Sequence, residues 1–159
     1  MRKSQFVTFL LAGAVATLTG CATLPSPQVM ADETVAFQLP KLPDPGKAII
    51  YIVRPSSLGA LVRFNVFADD KQAQSEMGYT RAHQYIYFQV KPGEHTIYSK
   101  AENWADAKVS AKAGDIIYIQ QEPDMGIIMA RNDIYQPDDV EGKYCVKTLT
   151  LGTIKRTEK

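Results

Sequence analysis

The stretch Tyr85-Ile86-Tyr87-Phe88-Gln89-Val90-Lys91-Pro92-Gly93 decides the fold class. Side chains of an extended segment alternate between two faces. Ile86, Phe88 and Val90 therefore share one face, and Tyr85, Tyr87 and Gln89 share the other. Pro92-Gly93 is a turn dipeptide. His95 to Lys100 resumes the extended pattern beyond it, which predicts a hairpin across the turn.

Working outward, the same signature recurs. Ala48 to Val53 is an unbroken run of β-branched and aromatic residues, ended by Arg54-Pro55, and Ser56 to Gly59 reads as a loop. Val62 to Ala68 alternates, with Val62, Phe64 and Val66 on one face. Asp69-Asp70-Lys71 is a turn, and Gln72 to Met77 reads as a weak strand broken by Gly78. Downstream, Ala107 to Ala111 alternates, Gly114-Asp115 turns into Ile116 to Gln120, and Gly126 precedes a further strand, Ile127 to Ala130. About six to eight short strands with turn signals roughly every 8–12 residues predict an all-β fold, an antiparallel sandwich of prealbumin or immunoglobulin type. Gln136-Pro137-Asp138-Asp139 suits a helix start. Val140 to Val146 reads as one short helix, and Tyr144 to Leu151 reads equally well as a strand.

The N-terminal region has a different character. Arg2 and Lys3 precede an uncharged apolar stretch from Phe6 to Gly20. A basic start, an apolar core of roughly 7–15 residues and a small-residue cleavage site define a secretory signal. A spanning helix needs about 20 apolar residues, more than this stretch supplies. The sequence thus divides into a signal at 1–20, a segment at 21–46 and a folded domain at 47–159. The segment holds Pro25, Pro27, Pro40, Pro43 and Pro45, which predicts an extended, semi-rigid tether. Within it, Thr34 to Leu39 is apolar enough to dock as an edge strand.

Leu18-Thr19-Gly20-Cys21 resembles the lipobox of bacterial lipoprotein signal peptides, without departure from its pattern. The resemblance implies diacylglycerol on the Cys21 sulfur, cleavage after Gly20 and acylation of the new amine. Each buried CH₂ contributes about 0.8 kcal/mol, so two or three chains anchor stably where one does not. Ala22 stands where an Asp would imply retention at the inner membrane. The resemblance thus implies an outer-membrane anchor with the domain in the periplasm.

Composition narrows the classes. From Cys21 onward the chain carries 16 basic and 17 acidic residues, Arg2 and Lys3 accounting for the rest of the 18 basic ones. A near-neutral domain lacks the basic stripe that nucleic-acid binding requires. Beyond Cys21 the chain holds one further cysteine, Cys145, so no intramolecular disulfide is expected if Cys21 is lipidated. Cys145 reads as a small core residue or as a reactive thiol.

Ile50-Tyr51-Ile52-Val53-Arg54-Pro55, Val90-Lys91-Pro92-Gly93-Glu94-His95-Thr96-Ile97 and Ala113-Gly114-Asp115-Ile116-Ile117-Tyr118-Ile119 resemble the bacterial lipoprotein domains of unknown function numbered 2846, over Lys47 to Leu151. The second motif is also similar to the PEGA-type and carboxypeptidase-regulatory-type sandwich repeats. The resemblance implies a fold and a location and carries no activity.

Residues that could bear chemistry are few. The sequence has no G-x-S-x-G, no phosphate-binding glycine loop and no C-x-x-C. His83 and His95 lack metal-ligand spacing, so no metal and no cofactor beyond the lipid are expected. Asp69-Asp70 and Asp138-Asp139 suit turn chemistry and a helix start. Arg54 could bind an anion bidentately or cap carbonyls at the sheet end. Tyr85 and Tyr87 suit protein or glycan contact, or cross-strand pairing within the sheet. Trp104, in a polar loop, either tucks into the sandwich end or stands exposed. The expectation is a non-catalytic envelope module contacting another envelope protein or glycan, with Arg54, Tyr85, Tyr87 and Trp104 as the candidate surface. Two alternatives are an enzyme built around Arg54 with His83 or His95, and a small-ligand carrier.

Overall fold

The computed structural model describes residues 24–159. Two five-stranded sheets stack face to face. The first contains β1 (Ala48–Arg54), β4 (Gln84–Val90), β7 (Ile116–Asp124), β8 (Arg131–Tyr135) and β9 (Thr150–Leu151), in the order β8-β7-β1-β4-β9. The second contains β2 (Phe64–Ala68), β3 (Glu76–Thr80), β5 (Gly93–Lys100), β6 (Trp104–Ala111) and β10 (Thr153–Ile154), in the order β10-β3-β2-β5-β6. Among the described residues, two helices, α1 (Pro27–Thr34) and α2 (Asp139–Thr148), accompany the sheets.

The all-β expectation holds, with three differences in detail. First, the arrangement is not purely antiparallel: β1 pairs in parallel with β7, and β4 with β9. Second, Pro92-Gly93 makes no hairpin, because β4 belongs to the first sheet and β5 to the second. Proline fixes φ near −65°, whereas tight hairpin turns of type I′ need positive φ at both central residues. The dipeptide instead arches the chain from one sheet to the other. Third, Ile127 to Ala130 is a loop between β7 and β8, not a strand. Farther upstream, Ala73–Ser75 is a 3-10 turn, and β3 continues through Gly78.

The burial of β1 explains its unbroken apolar run. Ala48, Ile50 and Ile52 face the second sheet, where they pack with Val66, Met77, Ile86, Phe88, Val90, Ile97, Ile117 and Ile119. Ile49, Tyr51 and Val53 face outward, yet they are also buried, against Tyr118, Tyr85, Cys145 and Val146. A strand covered on both faces shows no alternation. Between the sheets, Gln121 is the main polar side chain. It accepts from the Thr80 hydroxyl and donates to Ser99 Oγ at 2.8 Å, so its amide links β7 to β3 and β5.

The cover over the outer face comes from α2 and the residues before β1. Asp138 caps α2 by accepting from the Glu141 N–H at 2.8 Å. The segment expected to be an extended tether is, from Leu24 on, largely docked. Pro27 sits in the first turn of α1, where a proline costs no hydrogen bond, and no proline follows until Pro40. Lys147 ties α1 to α2 through the Glu33 carbonyl and carboxylate, both at 2.9 Å. Phe37 and Leu39 then pack on the tyrosine face without forming a strand. Tyr51 Oη donates to the Lys41 carbonyl at 2.6 Å and accepts from its N–H at 3.1 Å.

The C-terminal residues strap the open side. β9 joins β4, β10 joins β3, and the Gln89 N–H returns to the Thr157 carbonyl at 2.8 Å. Cys21 and its flanking Leu18, Thr19 and Gly20 lie outside the described residues.

Candidate binding surface at one end of the sandwich

The loops that leave β1 and β7 meet at one end of the molecule. Each is held by one charged side chain from outside its exposed tip.

Arg54, the last residue of β1, holds the loop from Pro55 to Arg63. It is 0 % exposed. Its Nη1 donates to the Val62 carbonyl at 2.7 Å, and Nη2 donates to the Leu58 and Gly59 carbonyls at 2.9 Å each. The guanidinium carbon lies 3.7 Å above the Phe64 ring centre. Burial pulls its pKa down to about 10, so it stays charged at neutral pH. A planar fork suits this task, since it serves several carbonyls at once and stacks on an aromatic face.

Glu102, in the β5–β6 connection, holds the loop from Met125 to Ala130. Its carboxylate accepts the backbone N–H groups of Met129 at 2.7 Å, Ile128 at 2.9 Å and Ile127 at 3.2 Å. These amides hold its pKa below the ordinary glutamate value. They are donors that a strand would give to a neighbouring strand, which is why this apolar run does not extend the sheet. Asn103 secures the start of β8, donating to the Asn132 carbonyl and accepting from the Asn132 N–H, both at 2.8 Å. Gly59, at φ +63°, brings the two loops together: a Cβ there would lie 2.6 Å from the Ala130 Cβ.

With their backbones held this way, the loops present apolar side chains to solvent. Leu61 is 93 % exposed, Ile127 91 %, Ile128 88 % and Met125 75 %, with Leu58 and Met129 partly exposed beside them. Single exposed hydrophobic residues are ordinary, but a contiguous cluster marks a contact surface. On one flank, a groove of about 480 Å³ is lined by Leu61, Met129, Arg63, Arg81 and Lys100 among others. Arg63 and Arg81 both lie near the Tyr79 ring, at 5.5 and 5.6 Å. Among the described residues, neither they nor Lys100 belong to an ion pair; the pairs found use Lys41, Lys47, His95, Lys147, Lys155 and Lys159.

Arg54, Tyr85, Tyr87 and Trp104 do not come together on one exposed surface. Arg54 is spent on its loop carbonyls. Tyr85 is buried and Tyr87 half-buried, and both pack on Tyr51 at 6.1 and 5.5 Å between ring centres, beneath the outer cover. Only Trp104 is exposed, on the second sheet, where it leans on Phe67 at 5.2 Å with Lys71 and Lys100 about 5 Å from its ring.

The histidines are separated as well. His95 contacts Asp69 at 2.9 Å and the Lys91 carbonyl at 2.8 Å, at the opposite end. His83 lines a groove of about 650 Å³ with Leu24, Pro55, Ser56, Ser57, Glu122 and Tyr135 among others. Burial pushes the Cys145 thiol up to about 12, which keeps it protonated. Among the described residues, no group of three or more His, Cys, Asp or Glu side chains is placed to hold a metal ion, and no helix is long and apolar enough to cross a membrane.

The sequence reads Ser56 to Gly59 as a plain loop and Ile127 to Ala130 as a strand, and assigns neither to a contact surface. Its signal was present in Leu58-Gly59-Ala60-Leu61 and in Met125-Gly126-Ile127-Ile128-Met129, apolar runs beside glycines with no alternation.

The profile of the family described as "Protein of unknown function (DUF2846)" matches residues 44–133. That span runs from the approach to β1 into β8 and includes both loops. An uncharacterized protein of Haemophilus influenzae is 27 % identical over 150 residues, which cover 94 % of this chain and 86 % of that protein. Its likeness therefore extends past the family span and reaches both helices. With more than half of its length matched by that profile, the chain belongs to the DUF2846 family.

Proposed function

We propose that this chain is a lipid-anchored protein of the cell envelope, held through Cys21 at the outer membrane. Its sandwich is a non-catalytic binding module for another envelope component. The observation that carries the binding role is the cluster of Leu61, Met125, Ile127 and Ile128, held out in solvent by loops that Arg54 and Glu102 fasten. A folded chain exposes such a cluster at a cost to its solubility, and contact with a partner offsets that cost. The lipobox residues and Ala22 support the anchor and its membrane. The non-catalytic reading is supported by the commitment of Arg54 to carbonyls, the protonated thiol of Cys145 and the placement of His83 and His95 at opposite ends. Against a carrier role, Ile, Val, Phe and Met side chains fill the space between the sheets.

Two measurements test the reading. Mass spectrometry of the purified protein is expected to show an acylated Cys21 at the N-terminus, and Cys21→Ala is expected to leave an untrimmed, unlipidated precursor. Trimmed, lipid-free protein in that variant would remove the anchor. A photo-crosslinking residue at position 128 is expected to capture an envelope component in cells, and one at position 112, at the opposite end, is not. Equal yields at both positions would remove the apolar end as the contact surface.

A further inference from the structure

We infer that the apolar end contacts the bilayer itself: Leu61, Ile127 and Ile128 insert into the membrane to which the lipid is attached, and Arg63, Arg81 and Lys100 meet anionic phospholipid headgroups. This inference rests on the lipid-anchor reading and names the component that the loops contact.

The first support is the place where the described chain starts. Leu24 lines one groove with Pro55, Ser56 and Ser57, the opening residues of the loop that carries Leu58 and Leu61. Cys21 lies three residues upstream. At about 3.3–3.6 Å per residue, its α-carbon stays within about 11 Å of Leu24. Acyl chains on Cys21 therefore bring the membrane surface to the end of the sandwich that carries the apolar loops. The docking of α1, Phe37 and Leu39 matters here, because a free spacer of 21–46 would have left the orientation open.

The second support is charge. Membrane-surface elements combine apolar tips, which sink roughly 5–10 Å into the boundary of headgroups and acyl chains, with basic side chains at headgroup level. Here the tips are Leu61, Ile127 and Ile128, and the basic groups beside them are Arg63, Arg81 and Lys100. These cations carry no ion-pair partner among the described residues. Two carboxylates at this end are hydrogen-bonded within the fold: Glu102 holds three amides, and Asp124 accepts from the Met125 N–H at 2.7 Å. A loop whose amides are already bonded can enter a region poor in water without stranding them.

The test uses the mature lipidated protein with Ile128→Cys, labelled with an environment-sensitive fluorophore and reconstituted into vesicles of phosphatidylethanolamine and phosphatidylglycerol. The native Cys145 is buried and Cys21 carries lipid, so the label goes to position 128. A severalfold loss of emission is expected when the lipids carry bromine on their acyl chains. No loss is expected for a label at Lys112→Cys. Replacing Arg63, Arg81 or Lys100 with Gln is expected to lower the inserted-to-lifted ratio roughly fivefold each in anionic vesicles. Protein that floats with vesicles while its label at 128 stays unquenched overturns the inference and leaves the anchor standing. A shielded but unquenched label assigns the surface to a protein partner, which also overturns it. Failure to float at all removes the anchor, and this inference with it.

Discussion

Replacing Arg54 with Met tests how the apolar end is built. The variant keeps most of the side-chain volume and the contact with Phe64 but loses all the donors. Three bonds to carbonyls, at 2.7, 2.9 and 2.9 Å, disappear. Hydrogen bonds from a charged group contribute about 1.5–3 kcal/mol each, or roughly 4–9 kcal/mol together. Against this stands the cost of burying the cation. A guanidinium pKa held at about 10 instead of 12.5 corresponds to roughly 3 kcal/mol of desolvation, which Met does not incur. The freed carbonyls belong to a surface loop and recover part of the loss by bonding water. The expected net effect is a destabilisation of about 2–4 kcal/mol, or a melting temperature lower by about 6–12 °C. Urea unfolding followed through Trp104, the single tryptophan, measures the first quantity. Amide exchange at Leu58 to Val62 is expected to rise more than exchange in β1. Arg54→Lys is expected to recover less than half of the stability, because an ammonium cannot span three carbonyls as a planar fork does. Stability of Arg54→Met within about 0.5 kcal/mol of the parent, the range of ordinary surface substitutions, would refute the assignment of Arg54 as the fastener of this loop.

Three further outcomes follow from single contacts. Glu102 has a lowered folded pKa, so its support for the loop is complete above the ordinary glutamate value of 4.5 and is lost as pH falls through the lower folded value. Exchange at Ile127, Ile128 and Met129, relative to the strand amides, is expected to rise in that acidic window, and Glu102→Gln is expected to abolish the step. Gly142→Ala would ordinarily strengthen a helix by about 1 kcal/mol. Here the new Cβ would lie 2.2 Å from Tyr118 Cγ, so a net loss of about 1–3 kcal/mol is expected in urea unfolding, and a gain would contradict the packing of α2 on the first sheet. Tyr51→Phe leaves the Lys41 N–H and carbonyl without their partner and is expected to cost about 1–2 kcal/mol, with faster proteolysis between 35 and 46 as its local signature.

Most of the strands were legible because alternation is a local property. Ile86, Phe88 and Val90 announce one buried face whatever lies opposite them. Partnership between strands is not local. Pro92-Gly93 reads as a hairpin when only its neighbours are considered, and it becomes an arch because β4 pairs with β1 and β9 while β5 pairs with β2 and β6. The tyrosines show the same limit. Tyr85 and Tyr87 share the face opposite the sandwich core, as alternation requires. Alternation says nothing of the third layer, in which Phe37, Leu39 and α2 cover them.

The apolar end was the least legible part. Ile127-Ile128-Met129 has the composition of a strand, and its exposure depends on a carboxylate 25 residues or more upstream that takes its amides. Arg54 offered two readings from sequence, a bidentate anion site or a cap on carbonyls at the sheet end, and the structure shows the second, with the carbonyls of Leu58, Gly59 and Val62 curled around it.

What the sequence determined by itself was local: the strand faces, and the helix start at Gln136-Pro137-Asp138-Asp139. Each depends on spacing along one stretch of chain. The tertiary structure alone decided which strands share a sheet, that the residues before β1 lie against the domain, and that Leu24 stands beside the loop bearing Leu61. Those outcomes come from burying two faces of one sheet and pairing buried backbone amides, and groups far apart in the chain meet both conditions together.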